Sequence, residues 1–254
     1  MITFDDLLKG FQATGIQPGD LVMFHSSYKS FGGVQGGADV VIDALLDLVE
    51  PAKGGAVFFP TYGVAAWCGN HYWDISETPS EMGAITEAAR QRYGWRTRHP
   101  IHSWQILGAW RDEFQFENVE SYSDRGPLGL FERENGLIIS AGVPWDDTFT
   151  FVHYVEQKAG AHWRRVKNFA GMYVDSWGGA ELRTYRMSVR RTLDTITHVA
   201  PLYDEVLVPS GVVKQTQVGA STVSYFRARE YMDAVVPLVQ SCGELFYYEK
   251  GWRE

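Results

Sequence analysis

Residues 21–60 constrain the fold more tightly than any other part of the chain. Leu21-Val22-Met23-Phe24-His25 reads as a short apolar strand, running into a loop of small and polar residues, Ser26-Ser27-Tyr28-Lys29-Ser30-Phe31-Gly32-Gly33. After Gly37-Ala38-Asp39, the residues Val40, Val41, Ala44, Leu45 and Leu48 fall on one helical stripe. Gly55-Ala56-Val57-Phe58-Phe59-Pro60 is a second strand. For a strand, a helix and a strand in succession, a right-handed parallel crossover is the default connection. Such a unit needs a sheet with helices packed against it, so the chain reads as α/β.

The neighbouring segments fit that frame. Thr3 followed by Asp5 and Asp6 reads as the N-cap and first turn of a helix reaching about residue 14, where Gly15 stops it. Residues 82–92 are expected to be helical, 105–109 a third strand and 137–141 a fourth. After about Lys158 the pattern changes. Residues 168–174 and 182–187 look like strands around a Gly178-Gly179 turn. A small β-rich lobe is therefore expected over about 160–220. A helix over 226–238, a Cys242-Gly243 turn and a last strand over 245–248 complete the chain. Its 254 residues, 45% of them hydrophobic, suffice for one large domain, so 1–254 is read as a single domain containing that lobe.

Charge and cysteine content exclude several classes of function. A formal net charge of −8 argues against a nucleic-acid binder. No stretch is long and apolar enough to span a bilayer, and the acidic, amphipathic N-terminus lacks the basic start of a signal peptide, so a cytoplasmic protein is expected. The two cysteines, Cys68 and Cys242, form no CxxC pair, which points to neither a metal site nor a disulfide framework. Aromatic residues are abundant, with nine Trp, more than a core commonly needs.

The chemistry concentrates at His153 and Glu156. If 146–156 opens a helix, these two lie on one face, and a histidine beside a carboxylate is a proton acceptor held in one orientation. The pair follows the apolar strand at 137–141 and Gly142, the place where open α/β sheets put their active sites.

An ordered series of blocks surrounds the pair. It runs His25-Ser26-Ser27-Tyr28-Lys29-Ser30-Phe31-Gly32, Gly36-Gly37-Ala38-Asp39, Phe59-Pro60-Thr61-Tyr62, Met82-Gly83-Ala84-Ile85-Thr86-Glu87, Arg98-His99-Pro100-Ile101-His102-Ser103, Pro127-Leu128-Gly129 and the His153/Glu156 pair. In this order the blocks resemble the aminoglycoside 3-N-acetyltransferase superfamily, from about residue 3 to 160. The resemblance implies an α/β sandwich around a mixed sheet, distinct from the GNAT fold. It implies transfer of an acyl group from coenzyme A to an amine, usually on an amino sugar, with acyl-CoA as co-substrate and no permanently bound cofactor. It casts His153 as general base and Glu156 as its acidic neighbour. It places coenzyme A against His25, Ser26, Ser27, Tyr28, Lys29 and Ser30. Lys29, His99, His102 and Ser103 are of the right chemistry to meet the phosphates.

The segment after the pair departs from the antibiotic-modifying members, which carry clustered acids there. Here Arg183, Arg186, Arg190 and Arg191 make it basic. That favours an anionic acceptor, and a nucleotide-linked amino sugar is the expectation, with Arg183 and Arg186 on its diphosphate and Tyr62, Tyr72 and Trp73 stacking its base or sugar. The acyl group is acetyl or a small hydroxyacyl group. Two alternatives stand beside this reading: aminoglycoside 3-N-acetylation, and a non-catalytic protein that binds coenzyme A or a nucleotide sugar. The oligomeric state stays open, a homodimer included.

Overall fold

The computed structural model describes residues 1–114 and 116–250, so the last four residues of the expected 1–254 domain lie outside the described residues. Thr3 caps α1 (Phe4–Gln12): Asp6 N–H donates to the Thr3 hydroxyl, and Thr3 N–H donates to the Asp6 carboxylate. Two donors that a helix start would leave orphaned are thereby satisfied. β1 (Leu21–Ser26), α2 (Ala38–Val49) and β2 (Ala56–Pro60) form the anticipated unit, with β1 and β2 parallel. They are followed by α3 (Val64–Cys68), β3 (Tyr72–Asp74), α4 (Ala84–Arg90), β4 (Trp95–Arg96), β5 (Trp104–Gly108), α5 (Pro127–Glu134) and β6 (Leu137–Ala141). α6 (Trp145–Thr148) and α7 (Thr150–Lys158) lead into β7 (Arg164–Val174) and β8 (Ala180–Arg190). β9 (Thr195–Thr197), β10 (Lys214–Val218), β11 (Ser221–Arg227), α8 (Ala228–Ser241) and β12 (Tyr247–Glu249) close the series.

The main sheet is mixed, in the order β10-β11-β6-β1-β2-β5-β4. β6, β1 and β2 are parallel, and the strands on either side of them are antiparallel. Period-two alternation divides the core. Met23, Phe58 and Ile138 face one side, against Phe131 of α5, Phe151 of α7 and Tyr231 of α8. Val22, Phe24, Val57 and Ile139 face the other, against Phe11 of α1, Leu45 of α2 and Ile85 of α4. Because both faces are covered, these strands read as unbroken apolar runs. Each fully buried large side chain contributes roughly 1.5–3 kcal/mol.

The second half rearranges part of the expectation. β7 and β8 pair along their whole length, and β3 adds to β7 in parallel, so a segment distant in sequence completes the lobe. β10 and β11 belong to the main sheet instead, because β11 buries Val223 and Phe226 against β6. For the same reason Phe226 is strand, and the helix starts two residues later, at Ala228.

β1 sends the chain to β2 on one side while β6 lies on its other side, which makes the C-terminal ends of β1 and β6 a topological switch point. His25 pairs with Ser140 there, and Ser26 with Ala141.

Candidate active site

β6 ends at Ala141, Gly142 turns the backbone with φ 64°, and Pro144 precedes α6. Phe149, with φ −108° and ψ 100°, breaks the helical path, so α7 sets off anew. Phe151, Val152, Tyr154 and Val155 seat α7 in the core. His153 and Glu156, one turn apart, then meet: His153 Nδ1 lies 2.7 Å from Glu156 Oε2. The buried Glu156 carboxylate also accepts the Trp163 indole N–H (2.8 Å) and pairs with Arg164 Nη2 (2.7 Å). That same Nη2 is 2.6 Å from His153 Nδ1. Nδ1 cannot donate to Glu156 and accept from Arg164 at once. The anionic carboxylate is the stronger acceptor, so we assign the Nδ1 proton and the arginine N–H to it. Nε2 is left as the basic nitrogen.

Burial, reinforced by the Arg164 charge, lowers His153 below the ordinary imidazole range, against the opposing pull of Glu156. The ring is therefore neutral at pH 7. Burial alone would raise the Glu156 carboxyl, but hydrogen bonding and charge from His153, the Arg164 charge and the Trp163 bond outweigh it and hold the group low. The result is a neutral imidazole against a fixed carboxylate, an arrangement able to accept a proton and stabilise the imidazolium that forms.

His153 borders a cleft of ≈ 390 Å³ that also touches His25, Tyr62, His102, Tyr122 and Asp147. Tyr62 donates to Thr150 Oγ1 at 2.9 Å and stands edge-on to His102 at 4.7 Å. The Tyr122 ring lies 5.0 Å from His102 and 5.9 Å from His153. Burial drives His25 down to about 3 and His102 well below the ordinary range, so both are neutral. His25 Nε2 and His102 Nδ1 are buried without a hydrogen-bond partner among the described residues.

Of the loop expected to receive coenzyme A, only His25 reaches this cleft. Ser27 N–H donates to Ala141 O at 2.9 Å, tying the loop to β6. Tyr28, Lys29 and Ser30 form a tight turn, with Ser30 Oγ donating to Ser27 O (2.7 Å) and lying 2.8 Å from Ser221 Oγ. The Ser26 hydroxyl is buried without a hydrogen-bond partner among the described residues, and Lys29 is exposed. His99 and Ser103 are buried beside the cleft wall: His99 Nδ1 accepts the His102 N–H at 3.2 Å, and Ser103 Oγ donates to Thr61 O at 2.5 Å.

The residues expected to meet a nucleotide do not gather. Tyr72 is half-exposed on β3, whereas Trp73 is wholly buried, 5.3 Å from the Tyr173 ring and 4.7 Å under the Arg96 guanidinium. Arg183 pairs with Glu117 at 3.3 Å and with Glu181, and Arg186 pairs with Glu120 at 2.9 Å. Neither borders the cleft, and their charge is already balanced. The expected nucleotide-linked acceptor is not supported: Arg183 and Arg186 are engaged by carboxylates away from the cleft and Trp73 is core, although Arg190 of the same basic segment and Tyr62 do border the cleft. Burial pushes the Cys68 thiol up to about 11, which makes it a poor nucleophile.

Trp163, Arg164, Tyr122 and Asp147 escaped the sequence reading. An indole and a guanidinium just beyond the helix that carries His153 and Glu156 were a usable signal. A lone tyrosine in a loop offers none.

The sequence model of the Aminoglycoside 3-N-acetyltransferase family matches residues 23–240. Aminoglycoside N(3)-acetyltransferase VIII of Streptomyces fradiae is 27% identical over 257 residues, covering 93% of this chain and 86% of the relative. Aminoglycoside N(3)-acetyltransferase III of Pseudomonas aeruginosa is 43% identical over 192 residues, covering 66% and 68%. Among solved structures, aminoglycoside acetyltransferase AAC(3)-Xa superposes with a TM-score of 0.81 at 25% identity, over 94% of this chain and 93% of that one. With a match of that length, the chain belongs to the aminoglycoside 3-N-acetyltransferase family.

Proposed function

We propose that the chain transfers an acetyl group from acetyl-CoA to an amine, at position 3, of an aminoglycoside-type amino sugar. The observation that carries the reading is His153: neutral, bordering the cleft, with its Nδ1 proton held by a buried, ionised Glu156. The acceptor nitrogen attacks the thioester carbonyl while Nε2 takes its proton. The C–N bond forms, the C–S bond breaks, and the imidazolium returns the proton to the departing thiolate. Glu156 stabilises the imidazolium. Arg164 opposes it, which keeps proton return favourable. Asp147, the carboxylate bordering the cleft among the described residues, suits an ammonium of the acceptor. The names of the relatives support the acceptor class and the acetyl donor.

Replacing His153 with Asn is expected to cut turnover by roughly 10²–10⁴ while acetyl-CoA affinity holds. Thiol release on an aminoglycoside panel and calorimetric titration measure the two. Wild-type turnover in His153→Asn would remove His153 from the mechanism, and no thiol release with any aminoglycoside would overturn the acceptor.

A further inference from the structure

We propose that the outer edge of the main sheet carries a second site, for a phosphate group, built by Arg96 and Arg98 of the β4 segment with Arg90 from the end of α4. A cavity of ≈ 320 Å³ opens there and shares no lining residue with the cleft. Four arginines border it, Arg90, Arg92, Arg96 and Arg98, and no carboxylate does. Two of the four are balanced from behind: Arg90 by Glu87 (2.7 Å), and Arg92 by Asp39 (2.7 Å) and Asp43 (2.5 Å). Among the described residues Arg96 and Arg98 form no ion pair.

Arg96 is the informative one. It is only 7% exposed, and its guanidinium donates to the carbonyls of Ile75 (3.0 Å), Thr78 (2.6 Å) and Thr61 (2.8 Å) and to Ser103 Oγ (3.3 Å). Carbonyl dipoles satisfy N–H groups but bring no opposite charge. A buried cation with no carboxylate in direct contact is costly, and here burial and the nearby Arg90 charge, against the weaker pull of Glu87, Tyr173 and Asp74, draw Arg96 down to about 9. Arg98 lies over the Trp95 ring at 5.8 Å on the same cavity. With the Arg96 N–H groups given to carbonyls and Ser103, Arg96 supplies charge from behind, and the planar fork of Arg98 is the one placed to meet the oxygens of a phosphate dianion. The protein as a whole carries −8, so this is a local feature and not part of a generally basic surface. It also touches the cleft indirectly: Arg96 holds the carbonyl of Thr61, and the next residue, Tyr62, borders the cleft.

The phosphate has two candidate sources, free inorganic phosphate and the phosphates of the acyl-CoA donor. Calorimetric titration of the whole protein with inorganic phosphate and with adenosine 3′,5′-bisphosphate at low ionic strength tests the site without turnover, so its outcome is separate from the acyl-transfer reading. Both probes are expected to bind, about tenfold more weakly in Arg98→Gln. Ser176→Asp, which sets a carboxylate on the cavity wall with every arginine intact, is expected to abolish binding. Unchanged thermal midpoints show that both variants are folded. If the donor supplies the phosphate, Arg98→Gln raises the acetyl-CoA KM about tenfold with kcat held. If free phosphate does, KM stays and only phosphate binding is lost. Equal binding of the probes to wild type and both variants, or no binding at all, overturns the proposal.

Discussion

Two opposite charges converge on one ring nitrogen at position 153. Glu156 pulls the imidazole toward its charged form, and burial together with Arg164 pushes it away. Tyr122 and His102 complete its polar surroundings without adding a charge that alters the sign. The two partners therefore have opposite signatures. Arg164→Met removes a lowering influence, so the acid limb of the kcat/KM profile is expected to move to higher pH. Glu156→Gln removes a raising one, so the limb is expected to move to lower pH, with a loss of rate as the Nδ1 proton loses its acceptor. Profiles shifted in the same direction would mean that Arg164 does not act on His153. The sequence displayed the His153/Glu156 spacing because a helix puts residues three apart on one face. It showed Arg164 just beyond the helix but not its approach to His153, which depends on where β7 begins in space.

The switch point is an element-scale device, and Gly142 is its joint. At φ 64° it adopts the left-handed conformation that side chains disfavour, and an added Cβ would lie 2.1 Å from Ser30 Cβ and Oγ. The turn after β6 and the turn after β1 are thus packed backbone to side chain. Gly142→Ala is expected to destabilise the fold by about 2–4 kcal/mol, combining backbone strain with overpacking. Denaturant unfolding reads that loss, and the second change Ser30→Gly should restore part of it by removing the atoms in collision. A Gly142→Ala protein as stable as wild type would show that the two turns move independently. The strands meeting here were legible as apolar runs. The path of 26–30, a turn tied back to β6 and β11, was not, because its hydrogen-bond partners come from Ala141 and Ser221, far along the chain.

Across the whole molecule, three buried histidines couple stability to pH. Burial holds His25 and His99 at about 3 and His102 well below 6.5, the ordinary value each would regain on unfolding. Below that value the unfolded chain binds more protons than the folded one. Their contribution is therefore complete above about pH 6.5 and is lost as pH falls toward 3, by up to about 1.4 kcal/mol per histidine per pH unit. Urea midpoints are expected to drop steeply between pH 7 and 5, and His99→Gln should flatten that slope. A flat midpoint over this range would mean that these rings are reached by water.

Local period and capping determined much by themselves: the parallel β1–α2–β2 unit, the capped first helix, the β7–β8 hairpin and the helical adjacency of His153 and Glu156 all follow from interactions within a few residues or a continuous apolar pattern. Tertiary structure alone decided which charges were left over. Arg183 and Arg186 looked like a basic wall until Glu117, Glu120 and Glu181 came to meet them, and Trp73 looked like a stacking platform until Tyr173 and Arg96 enclosed it. Arg96 and Arg98 emerged with no ion pair among the described residues. The physical reason is range. Backbone periodicity is set by neighbours along the chain, whereas the balance of a charge depends on what folding brings within a few ångströms and on how much water it removes.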